Sequence, residues 1–462
     1  MKQCFNRYTP LIIITLGYMS SCKVTHKYQQ PPAPATEQFR DQQVIDSNTL
    51  ASLPYSEVFG DTVLQSLIQE GLTANLDLKT AFTRIRQSEA YFLQSRAAFM
   101  PSLGFNAGVS ESKLTEAQGF GSRSITQFFM GVSSAWEADI WGKLASSRRA
   151  NQASLLQTVA GTRAIQTSII SAIANNYYLL LALDQQLQIT EQTVRNWDTT
   201  VTVMRALKQA ATVTEAAVVQ SEAQRYAAEV TIPDLRQRIR ETENELSVLT
   251  GRPPGAIRRT GIDMQQTPAL LQTGVPAQLL SNRPDVMEAE YAYRSAFELT
   301  NVARASFYPS ISITGSLGLS SLTVAALFDA GAVAASLALG LTQPIFNRRQ
   351  LRTNMTVAEA QQDAALYGFQ NSLLVASQEV SNAYSLHEHA LQKTEVRTHQ
   401  LNALTKSVEY TQELLRNGFA NYTEVITARQ SLLEAELGRV NDKLQQLQAV
   451  VNLYRALGGG WR

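Results

Sequence analysis

Four stretches of the chain alternate apolar with small polar residues at a period of two, the mark of strands with one apolar face. Leu103, Phe105, Ala107 and Val109 alternate with Ser102, Gly104, Asn106 and Gly108. Phe128, Met130, Val132 and Trp136 alternate with Gln127, Gly131 and Ser133, while Phe129 and Ser134 break the pattern. Ile311, Ile313, Leu317 and Leu319 alternate with Ser310, Ser312, Thr314, Ser316 and Gly318. Ala335, Leu337, Leu339 and Leu341 alternate with Ser336, Ala338, Gly340 and Thr342. The pattern predicts strands at about 102–111, 126–136, 310–320 and 334–343. Their polar faces carry essentially no charge. A soluble sandwich would place Lys and Glu there; lipid on one face and water on the other explains their absence, at about ten residues per strand. The competing reading is a pair of soluble hairpins packed on helices. If the strands cross a membrane, four are too few, since the smallest single-chain barrels need about eight. Bare strand edges in hydrocarbon leave backbone groups unpaired, at a cost of roughly several kcal/mol each. Closure then requires several chains, and a trimer would supply twelve strands.

Between the strands the period changes. Ile426, Gln430, Leu433, Leu437, Val440, Leu444, Leu447, Val451 and Tyr454 follow a strict four-three spacing, apolar except at Gln430. That is a coiled-coil seam. Leu155, Val159, Ile169, Ile173, Leu180, Leu183 and Leu187 fit the same spacing, interrupted by Thr162, Gln166 and Asn176, and Leu401, Leu404, Val408, Thr411 and Leu415 continue it in the second half. The stretch from about Ser147 to Ala210 has no proline, and as one helix would run to roughly 95 Å at 1.5 Å per residue. Pro101 and Pro309 fall where helix gives way to strand, and Pro344 where strand gives way to helix. Helix-to-helix turns are expected near Ala211–Thr214 and Asn417–Tyr422, and Pro233 should bend or split its helix.

The plan occurs twice. Arg96–Ser102 matches Arg304–Ser310, Val213-Thr214-Glu215 matches Tyr422-Thr423-Glu424, and Leu249-Thr250-Gly251 matches Leu457-Gly458-Gly459. Ile140-Trp141-Gly142 matches Ile345-Phe346-Asn347. The four matches keep one order and a nearly constant offset. That period is too long for a solenoid and fits a duplicated half-subunit.

The N-terminus adds an address. Lys2 and Arg7 precede a short apolar run, Leu11–Leu16, and Ser20-Ser21-Cys22 follows. This is a secretory signal, and its run is too short to span a bilayer. It reads as a lipobox, with Met19 in place of the usual leucine, so Cys22 becomes the acylated N-terminus, carrying N-palmitoyl and S-diacylglycerol groups. The competing reading is an ordinary thiol near a cleavage site. Cleavage removes Cys4, the only other cysteine, and leaves no internal disulfide. The expected organisation is a signal peptide at 1–21, a lipid-anchored tether at 22–58 and a first repeat at 59–250. A linker at 251–283 and a second repeat at 284–462 follow. The tether is read as extended, with order beginning near Tyr55–Asp61.

Composition narrows the class. The 462 residues are 44% hydrophobic and 17% charged, with a formal net charge of +1. Without a basic excess, nucleic acid is not an expected partner. The four histidines, His26, His387, His389 and His399, form no metal spacing; His387 and His389, two apart on a helix, do not share a face. They are read as surface residues. Neither a phosphate-cradling glycine loop nor a nucleophile elbow occurs. No catalytic residue, cofactor or metal is expected, and the chain is read as not an enzyme.

At this point the residues resemble a known family. Ser281-Asn282-Arg283-Pro284-Asp285-Val286-Met287-Glu288-Ala289-Glu290, followed by Ala303–Ser312, resembles the signature of TolC-type outer-membrane efflux factors. Trp136–Gly142, Gln343-Pro344-Ile345-Phe346, Ile232-Pro233, Asn244–Gly251 and Gly458–Trp461 fit the NodT/OprM-like lipoprotein branch that serves resistance-nodulation-division (RND) pumps. The resemblance implies a homotrimer: a twelve-stranded outer-membrane barrel on a long coiled-coil tunnel of twelve helices. It implies a passive outer-membrane duct, with a periplasmic adaptor protein and an inner-membrane RND pump as partners and outer-membrane lipid around it. It also implies a periplasmic gate lined by acidic residues one helical turn apart. Glu424 matches one such position, and Thr427 stands where an aspartate is common. Three copies of Glu424 would make an anionic ring; alternatively Glu424 is a solvated carboxylate in a first helical turn. The tips, Ala210, Ala211, Thr212 and Val213 in one half and Gly418, Phe419, Ala420 and Asn421 in the other, are the expected adaptor contacts. The first lacks the second's turn glycine, so a different shape is expected there. A periplasmic coiled-coil scaffold without a pore remains the alternative. The exported substrate stays open.

Overall fold

Among the described residues, the apolar residues of the strands are largely exposed. In the computed structural model, which describes residues 24–32, 49–114, 123–266 and 279–461, the four strands form one antiparallel sheet in the order β1-β2-β3-β4. They are β1 (Ser102–Leu114), β2 (Arg123–Ala138), β3 (Ser310–Ser321) and β4 (Val333–Thr342). The register sets apolar residues opposite one another, as in Phe105↔Val132, Val132↔Leu317 and Ile313↔Leu339. The break in alternation at Phe129 has a local cause. Its ring lies where a β-carbon on Gly108, its cross-strand partner, would sit 2.8 Å away. Glycine at 108 is what lets that ring lie on the sheet.

The rest of the described chain is chiefly helical: α1 (Thr62–Ala74), α2 (Leu76–Ala97), α3 (Lys143–Gln209), α4 (Glu215–Glu229), α5 (Thr231–Leu249), α6 (Pro284–Ala305), α7 (Gln350–Arg416) and α8 (Tyr422–Ala456). α3 and α7 have 67 residues each, so each follows about 100 Å of helical path. The heptad positions of α8 lie on its protected face: Ile426, Val440, Leu447, Val451 and Tyr454 are buried, whereas Gln430 is exposed. Pro233 stands in the first turn of α5, where its missing N–H costs nothing, and the chain breaks at Val230 just before it.

The duplication is visible in the elements. β1 and β3 open at Ser102 and Ser310, after helices ending at Ala97 and Ala305, so strand start and helix end move together. α3 and α7 are equal in length, and one step along the chain carries Lys143 to Gln350 and Gln209 to Arg416. The same step carries Trp136 to Gln343. Trp136 donates to the Phe99 carbonyl at 2.9 Å, and Gln343 donates to the Phe307 carbonyl at 3.1 Å.

The chain divides into two compact units. One comprises residues 1–31, 84–158 and 288–369, with all four strands; the other comprises 32–83, 159–287 and 370–462. In the strand-bearing unit, Arg149 pairs with the nearly fully buried Glu298 at 2.8 Å. Trp141 stacks on Tyr308 at 4.9 Å and donates to the Pro309 carbonyl. The segment expected as a free tether is docked in part. His26 exchanges two backbone hydrogen bonds with the Asn301 amide, both 3.0 Å. The Tyr28 ring lies against Tyr293 and Phe297. Order therefore begins well before Tyr55, because Asn301 offers an extended peptide both a donor and an acceptor.

The helical unit holds the main core, with Ile170, Ile173, Tyr177, Leu180 and Leu183 of α3 fully or almost fully buried together with Leu64 and Ile68 of α1 and Tyr454 of α8. Asp61 caps α1 through the Val63 N–H at 2.8 Å and accepts from Tyr177, Thr260 and Gln265 at 2.8, 2.5 and 2.7 Å. Thr260 and Gln265 come from the linker, so its described part is pinned. Arg259 ties the same linker to Asp184 and Glu243. His387 is buried, against the expectation of a surface residue, because it falls on the protected side of α7 two residues before the exposed His389. Burial pushes its pKa below the ordinary value by disfavouring the charged ring.

Candidate functional site

Two features of the described residues could do work: the sheet, and the helix turns. On the sheet, Leu103, Phe105, Val109, Leu317, Leu337, Leu339 and Leu341 all stand on exposed positions, Leu337 at 82%. A continuous apolar face of this size left to solvent marks a surface made for another apolar phase. Glu111 and Lys113 of β1 stand at one end of the first hairpin and Glu137 of β2 at the other, so the charges flank the apolar stretch. Within the described residues, β1 and β4 each pair on one side only. No helix among the described residues is long and apolar enough to cross a membrane. Among the described residues no cluster of metal-ligating side chains occurs.

The turns lie in the helical unit. α3 ends at Gln209, and Ala210, Ala211 and Thr212 are exposed with Val213 half-buried. α7 ends at Arg416, and Gly418, Phe419 and Asn421 are exposed with Ala420 half-buried; Phe419 is 81% exposed. The expected difference in shape is not found. Ala211 takes the left-handed conformation of Gly418, and the following N–H in each turn closes on a carbonyl five residues back, Thr212 on Leu207 and Phe419 on Leu414. A Lys208–Glu215 ion pair spans the first turn. The two closures are the same helix-ending motif, which imposes its geometry on alanine where glycine would be easier. Behind the turns Trp197, Ala228 and Ile426 form a small core with Val194 and Tyr422.

Glu424 and Thr427 are both exposed on the first turns of α8. The Glu424 carboxylate accepts from the Asn421 N–H at 3.3 Å while the Asn421 side chain accepts from the Thr423 N–H, a capping box. Thr427 donates back to the Thr423 carbonyl at 2.9 Å. Cys22 lies outside the described residues.

The sequence signature around Arg283 has a structural meaning that spacing did not reveal. The Arg283 side chain, 6% exposed, grips both oxygens of Asp285 at 3.0 and 2.5 Å, Glu379 at 2.7 Å and the Ala456 carbonyl at 2.9 Å. Burial alone would lower its pKa, but the two carboxylates more than offset that and raise it, so the cation is fixed. It joins the start of α6 to α7 and to the end of α8.

An antiparallel sheet with an outward apolar face, joined to paired long helices, defines the class: a subunit of an outer-membrane channel. The model of the outer membrane efflux protein family matches residues 67–252 and 275–459, one match per repeat, and the chain belongs to that family. It is similar to the solvent efflux pump outer membrane protein SrpC of Pseudomonas putida, with 28% identity over 98% of this chain and 99% of that one. It is also similar to the probable outer membrane lipoprotein SilC of Salmonella typhimurium, with 25% identity over 98% of each. Among solved structures it resembles the open-state MtrE outer membrane channel of Neisseria gonorrhoeae, with a TM-score of 0.85 and 25% identity over 96% of this chain and 99% of that one. The protein is an outer-membrane efflux channel of the tripartite kind, a transporter and not an enzyme, and the pore-free scaffold alternative is not favoured.

Proposed function

We propose that three copies close one twelve-stranded barrel in the outer membrane and one helical tunnel in the periplasm. Through this duct, substrates delivered by an inner-membrane RND pump and a periplasmic adaptor leave the cell. The single observation that carries the reading is the exposed apolar face of a sheet with two open edges. Hydrocarbon accepts the face but not the edges, so neighbouring copies must cover them. The chain has no catalytic work in this scheme; the pump supplies the energy and selects the cargo.

In the same scheme residues 1–21 are a signal peptide and Cys22 carries the lipid anchor, in keeping with the lipoprotein SilC. Residues 22–58 lead from the anchor into repeats at 59–250 and 284–462, joined by 251–283. The turns at Ala210–Val213 and Gly418–Asn421 meet the adaptor, with Phe419 as an apolar contact. Glu424 adds an anionic ring at the closed end to its capping role, and Thr427 leaves that ring single.

Extraction and electrophoresis test the scheme. The full-length protein should leave membranes only with detergent, run as a heat-sensitive trimer and conduct ions in planar bilayers. A stable, water-soluble monomer without conductance would overturn it.

A further inference from the structure

The internal duplication fixes how one copy should join the next. We propose that β4 of one copy pairs antiparallel with β1 of its neighbour in a single register that sets Leu341 opposite Ala107 and Leu339 opposite Val109. This rests on the trimeric reading and specifies the interface residue by residue.

The argument uses the seam already inside the chain. The two hairpins β1-β2 and β3-β4 are copies: Ser102 pairs with Ala135 in the first, and Ser310 pairs with Thr342 in the second. β1 therefore maps onto β3 by the step that takes Ser102 to Ser310, and β2 onto β4 by the step that takes Ala135 to Thr342. The second step also takes Lys143 to Gln350, the first residues of the helices that follow, so the alignment does not rest on the strands alone. β2 joins β3 across the boundary between the copies, with Ser134 opposite Gly315 and Val132 opposite Leu317. Moving each partner of that seam to its counterpart turns Ser134↔Gly315 into Leu341↔Ala107 and Val132↔Leu317 into Leu339↔Val109. Among the described residues no third hairpin follows β4, so the β1 that receives β4 belongs to another copy.

The transferred register keeps the faces of the sheet. Directly opposed residues in a sheet share a face, and a slip of one residue would send every side chain of one strand to the wrong side. The transferred register sets Leu337, Leu339 and Leu341 opposite Glu111, Val109 and Ala107, all on one face, the face on which β1 exposes Leu103, Phe105 and Val109. A slip of one would set those leucines against Gly108, Ser110 and Asn106. The transfer carries whole ladder pairs and so preserves the shared face, which makes the agreement a consistency of the mapping. A shared face alone leaves slips of two residues open, and the duplication excludes those.

Cysteine pairs in the full-length protein decide the matter. Directly opposed α-carbons lie about 4.5–5.5 Å apart, within disulfide range, whereas diagonal neighbours at about 7–8 Å fall outside it. Leu341→Cys with Ala107→Cys should oxidise in the membrane to covalent dimers and trimers. Leu341→Cys with Phe105→Cys or Val109→Cys, two residues off in either direction, should remain at the level of the single-cysteine proteins. All variants should keep the heat-sensitive trimer band. Efficient linking of either displaced pair in a protein that still forms the trimer would overturn the register and leave the channel reading intact. Loss of the trimer band in the unsubstituted protein as well, with no pair linking, would remove the channel reading and this inference together.

Discussion

Ala211 and Gly418 occupy equivalent positions in the two helix-to-helix turns, both left-handed, at φ 56° and 73°. For a residue with a β-carbon that conformation costs about 1–2 kcal/mol. Ala211→Gly should tighten the first turn by roughly 0.5–1 kcal/mol, since glycine removes the clash but loosens the unfolded chain. Gly418→Ala should loosen the second by a similar amount. Amide hydrogen exchange at Thr212 and Phe419, the N–H groups that close the turns, reads both effects. Exchange at Thr212 that is unchanged by Ala211→Gly would show that the left-handed turn is not held in solution.

Arg283 offers a larger effect. Its removal takes a charged partner from Asp285, which is partly exposed, and leaves Glu379 to Arg455 alone, a loss of roughly 1.5–3 kcal/mol. Arg283→Ala should sharply lower the yield of folded trimer. Arg283→Lys keeps the charge but not the planar fork that spans Asp285 and Glu379, and should fall between. Equal thermal midpoints for Arg283→Lys and the unsubstituted protein would mean that charge alone holds the joint.

Asp61 makes the helical unit acid-sensitive. Burial pushes its pKa up, but hydrogen bonds from Thr260, Tyr177, Gln265 and the Val63 N–H prevail and leave it below the ordinary value. A depressed carboxyl stabilises the fold fully above its unfolded pKa of about 3.9. That contribution fades as pH falls through the lower folded value. Asp61→Asn should melt below the unsubstituted protein at neutral pH, and the gap should narrow once the pH drops under about 4. A gap that stays constant down to strong acid would mean the cluster does not depend on the charge.

The sequence made the strands legible because each has a single apolar face, and made the helices legible because their seams repeat every seven residues. The strand ends were less clear: β1 runs on to Leu114 through Glu111 and Lys113, where backbone pairing outlasts the apolar face and Ser124 donates to Glu111 at 2.7 Å. The Asp61 cluster was invisible, since Tyr177, Thr260 and Gln265 come from distant points and carry no period. The docking of Tyr28 and the burial of His387 likewise follow from no period in the sequence. The Arg283 signature resembles a family motif, and its clamp is not legible in the motif because Glu379 and Ala456 lie far along the chain.

Glu424 has two possible duties that a pair of substitutions can separate. Its carboxylate accepts the Asn421 N–H in the capping box, a contact that glutamine can also make. Glu424→Gln should therefore keep the first turn of α8 protected from exchange while removing the charge. In the trimer, the loss of a three-carboxylate ring should reduce cation preference in bilayer conductance. Glu424→Ala should lose the same preference and also fray the helix start by about 1 kcal/mol, seen as faster exchange at Asn421. Thr427→Asp should strengthen the preference, by adding a second acid on the same stretch of helix. Unchanged ion selectivity in Glu424→Gln would reduce this carboxylate to a helix cap, with the gate to be sought elsewhere.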